Sequence, residues 1–294
     1  MKITNKQNLP QAIVNALTSD YQYKDKQFSA TTILSGIKSF LLMKRHTNEI
    51  EMDASEGINM LLGTAVHNIF ESNSKDEELA EEYMKVQLPN GYVISGRLDL
   101  YNLITKKLTD YKTCSIWKIK FKDFEDWKKQ LLIYAWMLRK QGMEVAGATI
   151  TALIKDYSKS DYRLAQLKGE YYPESAIINV DFKFTENDYQ QIEHWIVNRF
   201  ALIETYEQLS DDEIPTCEDE ERWNSGTKYA VMKGKNVKAF KVFDNKESAE
   251  ELAITMGSDY WVQERKGIDR KCMDYCNGCK FCKYYNEVVV KEGK

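Results

Sequence analysis

The chain has 294 residues, room for one sizeable core and a smaller appendage at roughly 100–200 residues per domain. With 43% hydrophobic, 29% charged and 12% aromatic residues, and only 14 Gly and 4 Pro, it is neither disordered, collagenous nor low in complexity. The formal net charge of −4 argues mildly against nucleic acid in bulk, but charge is segregated: residues 102–141 hold ten Lys/Arg against four acids, and residues 204–221 hold nine acids and no base. A basic stretch on a mildly acidic protein suits local phosphate binding; it also suits a solvated face.

Charges or amides interrupt every apolar run well before the roughly 18 residues of a membrane span, so no membrane partner is expected. The opening MKITNKQNLPQAIVNALTSD lacks the basic, apolar, small-residue order of a signal peptide, which predicts a cytoplasmic protein. Its six cysteines then sit in a reducing compartment, where clustered thiols bind metal more often than they pair.

Ser and Thr ahead of apolar residues predict a helix that starts near Ser29 and runs through Ile37, Phe40 and Leu41. A second helix spans residues 57–73, where Leu62, Val66, Ile69 and Phe70 recur at helical spacing, and its register sets His67 and Glu71 four apart on one face. Pro89-Asn90-Gly91 is a turn, and residues 92–101 alternate as a strand with Arg97 and Asp99 on one side. After the polar turn at residues 105–107 a further strand carries Leu108, Asp110 and Lys112 on one face, so Asp99 and Asp110 belong to neighbouring antiparallel strands. A helix over residues 124–140 places Gln130 and Tyr134 one turn apart and stops at Gly142. Residues 148–154 and 178–184 read as strands, and Thr185 with Asp188 three on caps a long helix ending near Leu209.

Two aspartates converging from adjacent strands form a cradle for Mg²⁺ or Mn²⁺, which prefer oxygen ligands. Lys112, two past Asp110 on the same face, would hold an ammonium beside the metal, where it orients a nucleophile or balances charge on a phosphate. Asp-x-Lys alone also arises as a structural ion pair. His67, Tyr134 and Glu71 have bland readings too, as a half-buried histidine, a core tyrosine and a solvated glutamate. His46, His194 and Cys114 are read as structural.

Gly63-Thr-Ala-Val-His67, Gly96-Arg-Leu-Asp99, Asp110-Tyr-Lys112-Thr113 and Gln130-Leu-Leu-Ile-Tyr134, in that order, resemble the motif series of the PD-(D/E)XK nucleases of the RecB type, especially the single-domain phage and prophage versions. The resemblance implies an α/β fold, with a restriction-endonuclease-like core of a central mixed sheet flanked by helices. It implies a Mg²⁺- or Mn²⁺-dependent deoxyribonuclease of a bacterial or phage-infected cell, an exonuclease that processes DNA ends in recombination or repair. By the same resemblance Asp99 and Asp110 are metal ligands, Lys112 is the catalytic lysine, His67 is a further metal ligand, and Gln130 and Tyr134 contact DNA. Glu71 is an alternative ligand or a group that holds His67 in its ligating tautomer. The resemblance also implies a recombination partner, an annealing protein or a helicase, and the chain carries no Gly-x-x-x-x-Gly-Lys-Ser/Thr motor signature, so any unwinding motor is a separate protein.

Cys272, Cys276, Cys279 and Cys282 pack into eleven residues, with Cys217 upstream, and such density points to tetrahedral zinc or an iron–sulfur cluster. Five thiols compete for four places. Some RecB-type nucleases tie a distant cysteine to a C-terminal triplet around a [4Fe–4S] cluster, and that similarity favours Cys217, Cys272, Cys276 and Cys282, with Cys279 as spare. In those relatives the lone cysteine often precedes the histidine motif, whereas residues 29–46 here contain none. The expected organisation is a nuclease core over residues 1–215 and a metal-stapled cysteine module over 216–294. The rival reading is a non-catalytic DNA-binding or scaffold protein with a zinc module.

Overall fold

The computed structural model describes residues 1–18 and 22–290. The chain divides into two compact units, one of residues 1–35 and 47–208, the other of residues 36–46 and 209–294. The last four residues of the expected cysteine module lie outside the described part. The division therefore falls at 208/209 rather than 215/216, and a short early segment groups with the C-terminal unit.

In the first unit, β1 (Lys2–Thr4) pairs in parallel with β3 (Glu51–Asp53), and α1 (Gln11–Leu17) lies between them in sequence. The main sheet is built from β2 (Gln27–Ser29), β4 (Glu78–Gln87), β5 (Val93–Asn102), β6 (Lys107–Cys114), β7 (Gly147–Ile154) and β8 (Ile177–Phe182). Its order is β2-β5-β6-β7-β8, with β4 antiparallel along β5. The β2–β5 and β6–β7 pairs are parallel; β5–β6 and β7–β8 are antiparallel. The parallel β6–β7 step requires a crossover, which α5 (Ile116–Lys120) and α6 (Glu125–Lys140) supply. With α4 (Ile58–Glu71), α7 (Lys159–Lys168) and α8 (Glu186–Glu207), this is the mixed sheet flanked by helices that the motif order implied.

Helix α6 forms where the periodicity placed it. Glu125 and Asp126 open it and Arg139 and Lys140 close it, each sign complementing the helix dipole. Leu131, Ile133, Ala135 and Met137 are wholly buried, and each large apolar side chain so buried contributes about 1.5–3 kcal/mol. It packs on α8, where Glu193 accepts from Trp136 and Lys140. The capping box at Thr185 and Asp188 is present as read, each side chain bonding the other's backbone N–H.

One reading is corrected. The helix expected from Ser29 through Leu41 is two helices, α2 (Ala30–Leu34) and α3 (Ile37–Arg45). Ser35 is extended, at φ −85° and ψ 165°, and Arg199 takes the carbonyls of Ile33 and Ser35, so the chain leaves the helix there. Helix α4 forms as expected and buries none of its residues: Leu62 is 39% and Ile69 58% exposed.

In the second unit, α3, α9 (Asp219–Arg222) and α11 (Arg270–Asp274) accompany a three-stranded antiparallel sheet of order β10-β9-β11, from β9 (Lys228–Lys233), β10 (Lys241–Phe243) and β11 (Tyr260–Arg265). Alternate residues Tyr229, Val231, Phe243 and Val262 meet Ala249, Leu252 and Ala253 of α10 (Lys246–Met256). Buried Asp269 accepts from Arg222, Asn224 and Tyr284, which joins the start of this unit to its end. Among the described residues no helix is long and apolar enough to cross a membrane.

Candidate active site

Strands β5 and β6 pair Tyr101 with Leu108 and Leu100 with Thr109, a register that sets Asp99 opposite Asp110. There the ladder opens, and the Tyr111 N–H donates to Asp99 Oδ2 at 2.7 Å instead. Asp110 is 1% exposed. Its Oδ1 accepts from Gln130 Nε2 at 3.1 Å, and Lys112 Nζ lies 2.8 Å from its Oδ2. That ammonium is the one partner of Oδ2, a buried oxygen with a further lone pair left over.

His67 comes from α4, whose C-terminal half faces β6 through the Phe70–Tyr111 ring contact at 4.3 Å. Its Nδ1 lies 3.3 Å from Asp99 Oδ1 and 3.2 Å from Glu81 Oε1. One ligand atom each from His67, Glu81 and Asp99 falls within 4.8 Å of the others. Glu71, expected beside His67, is exposed at the end of α4 and outside this group, because the helix turns that position outward. Glu81 takes the place. It stands across from Asp99, between the pairs Ala80–Leu100 and Glu82–Leu98, with its backbone left-handed at φ 51°. A non-glycine there costs of order 1–3 kcal/mol, the strain typical of functional positions. The Pro89-Asn90-Gly91 turn could have revealed it, since a hairpin turn before β5 demands a partner strand upstream.

Gln130 and Tyr134 are both buried; Gln130 holds Asp110 and its Nε2 is 3.5 Å from the Tyr134 hydroxyl. A Cβ at Gly96 would come 2.6 Å from Tyr134 Cε1, so the motif glycine lets that ring lie against β5. Beside it opens a cavity of about 520 Å³ lined by Lys24, Gln27, Tyr83, Arg97 and Tyr134 among others.

The charges at this junction act strongly on one another. Hydrogen bonding to Asp99 drives His67 up to about 9 against the opposing effect of burial, and Glu81 adds to the rise. Burial pushes Asp110 up, Lys112 holds it down and the Asp99 charge pushes it further up. Three carboxylates and an imidazole face one lysine, with Arg97 3.8 Å from Glu81 at the rim. Oxygen donors with one imidazole suit Mn²⁺ or Mg²⁺, and His67, Glu81 and Asp99 bring such donors within 4.8 Å of one another.

The five other thiols lie in the second unit. Burial raises the Cys217 thiol to about 11, with Glu221, Cys276 and Cys282 as neighbouring charges, and raises Cys272 to about 12, with Asp269, Cys276, Cys217 and Cys282 nearby. Cys276 and Cys282 thus neighbour both Cys217 and Cys272, although among the described residues no three of these thiols bring their sulfurs within 4.8 Å of one another. Cys279 answers to Cys276 and the Tyr285 hydroxyl. Helix α3 closes the group: Ser39 donates its N–H to Cys217, and its Oγ lies 3.4 Å from Cys276 Sγ. A Cβ at Gly36 would meet Cys217 Sγ at 2.5 Å, so the cysteine-free early stretch supplies the small residues that let the thiols in. Cys114 is buried elsewhere on β6, as expected.

No family model matches the chain, and no curated protein matches it. Among solved structures, the protein SSO0001 aligns at 14% identity over 64% of this chain and 82% of that one, with a TM-score of 0.43. A phage-related exonuclease from Haemophilus somnus 129PT aligns at 13% identity over 58% of this chain and 70% of its own, with a TM-score of 0.29. An exonuclease candidate from Eubacterium rectale aligns at 15% identity over 67% and 73%, with a TM-score of 0.32.

Proposed function

We propose that this chain is a divalent-metal-dependent deoxyribonuclease of the PD-(D/E)XK kind, acting as an exonuclease on DNA ends. One observation carries the reading: His67, Glu81 and Asp99 converge at the point where β5 and β6 separate, next to a buried Asp110 paired with Lys112. His67, Asp99, Glu81 and Asp110 would hold Mg²⁺ or Mn²⁺, which supplies the Lewis acidity and the activated water for phosphodiester hydrolysis. Lys112 keeps an ammonium beside the acids, where it balances charge on the attacked phosphate and positions the incoming water. Gln130 fixes the rotamer of Asp110, and Gly96 admits Tyr134 to the edge of the cavity, where the strand would lie.

The neighbouring thiols of the second unit suit a soft metal that would draw them together. Cys217, Cys272, Cys276 and Cys282 are proposed to hold a [4Fe–4S] cluster, with zinc as the competing occupant and Cys279 as spare. The setting that suits this chemistry is end processing in recombination or repair in the bacterial cytoplasm, alongside an annealing protein or a helicase.

The test is cleavage of end-labelled linear and covalently closed circular DNA with Mn²⁺, with Mg²⁺ and with chelator. The expected result is metal-dependent loss of the linear form only, abolished in Asp110→Ala and Lys112→Ala while folding and DNA binding persist. Wild-type protein that leaves both DNAs intact with either metal defeats the nuclease reading and favours a non-catalytic binder; attack on the circle defeats the exonuclease assignment alone.

A further inference from the structure

Three residues beyond Lys112, β6 gives way to α5, a short helix whose sequence Ile116-Trp-Lys-Ile-Lys-Phe-Lys122 puts its largest aromatics outside. Trp117 is 55% and Phe121 73% exposed, and their rings stack at 5.6 Å and 26°. Exposed apolar residues scattered singly need no explanation; two large rings stacked together in water form a built feature. Three lysines border them. Lys120 Nζ lies 4.9 Å above the Trp117 ring, Lys122 reaches the 54% exposed Tyr171 at 5.5 Å, and Lys118 is tied to Asp126 at 2.7 Å.

The feature is held firmly and close to the candidate active site. Asp156, just past β7, accepts from Ile116 N–H at 2.6 Å and from Ser115 Oγ at 2.8 Å, which clamps the start of α5. The neighbouring Lys155 bonds Asn59 at the head of α4 at 2.6 Å. Trp117 follows Lys112 by five residues, so at no more than about 3.6 Å per residue their Cα atoms are at most about 18 Å apart.

We propose that Trp117 and Phe121 form a stacking platform for unpaired DNA bases, with Lys120 and Lys122 on the phosphates, on the segment that directly continues the strand of Lys112. A duplex keeps its base faces against one another and offers none to these rings, whereas an unpaired strand offers one per nucleotide. An anionic membrane fits less well, because Asp123, Glu125 and Asp126 follow the platform directly and would meet its surface charge. The substrate class is therefore a single strand or a single-stranded overhang. The assignment rests on the nuclease reading of the neighbouring site.

Binding of a fluorescent oligothymidylate and of a blunt duplex to the full chain in chelator, read by anisotropy, tests it without cleavage. In the Trp117→Ala/Phe121→Ala variant, oligothymidylate affinity falls about tenfold to a hundredfold while duplex affinity and the salt slope of binding hold. Trp117→Phe retains most of the affinity. Equal losses on both DNAs, no loss on either, or no oligothymidylate binding by the wild type overturns the platform. So does binding to phosphatidylserine vesicles that the double variant loses while its DNA binding is unchanged. The two readings fail separately. Aromatic-dependent strand binding without any cleavage upholds the platform and defeats the nuclease, whereas metal-dependent cleavage with unaltered strand binding in the variant does the reverse.

Discussion

Replacing Lys112 by Met should make the buried Asp110 carboxylate the weakest point of the first unit. At 2.8 Å the pair attracts by about 6 kcal/mol at an effective dielectric constant near 20. Much of that offsets desolvation, and removing one partner of a buried pair costs about 3–5 kcal/mol. Lys112 keeps 24% of its side chain in water, so the lower end, about 3 kcal/mol, is expected. For a body of this size that is a fall in Tm of about 6–12 °C. Asp110 already has its pKa raised by burial, and losing Lys112 raises it further. A carboxyl with a raised folded pKa disfavours folding at high pH and is relieved by taking up a proton. The gap in Tm between parent and K112M, measured by calorimetry in chelator, should therefore be widest near pH 8 and close toward about pH 5. The Asp110→Asn/Lys112→Met double variant, which carries no buried charge there, should recover most of the loss. A single variant as stable as its parent at pH 8, or a gap that ignores pH, would refute the argument.

His67, whose pKa rises from 6.5 to about 9, contributes stability that is complete below 6.5 and lost as pH climbs through about 9. Tm in chelator should fall across that window, and His67→Gln should flatten it; a parallel decline in the variant would assign it to other groups. Gly96→Ala drives a methyl into the Tyr134 ring at 2.6 Å, which predicts about 1–3 kcal/mol of overpacking and a large loss of cleavage in a nuclease assay. Cys217→Ser, Cys272→Ser, Cys276→Ser and Cys282→Ser should each strip most of the iron or zinc found by elemental analysis of anaerobically purified protein, whereas Cys279→Ser should retain it. Metal loss confined to Cys279→Ser would reverse the ligand assignment.

Part of the site was legible in the sequence because strands have a period of two: once the stretch carrying Leu108, Asp110 and Lys112 read as a strand, Asp110 and Lys112 had to share a face, and its antiparallel pairing with the strand over residues 92–101 brings Asp99 opposite Asp110. The apolar stripe of α6 gave Gln130 and Tyr134 in the same way. Glu81 escaped because Glu78-Leu-Ala-Glu-Glu-Tyr carries little strand propensity, and its carboxylate reaches the site only through a left-handed residue that no periodicity encodes. The four-residue helix rule favoured Glu71, a neighbour in register that points to water. The break at Ser35-Gly36 was hidden because Ile37, Phe40 and Leu41 continue the apolar rhythm, while the carbonyls that end α2 are taken by Arg199, far along the chain.

That break has a consequence for biosynthesis. Residues 36–46 group with a unit whose remaining residues begin only at Leu209, so α3 is made long before the rest of its own unit. At about 5–20 residues per second the ribosome needs on the order of ten to thirty seconds to reach that point. Throughout that delay Phe40, Leu41 and Leu42, each at most 3% exposed in the finished protein, wait on the nascent chain for the remainder of their unit. Truncated translation products ending before Leu209 should for that reason aggregate or recruit chaperones, although every residue of the main sheet has already been made.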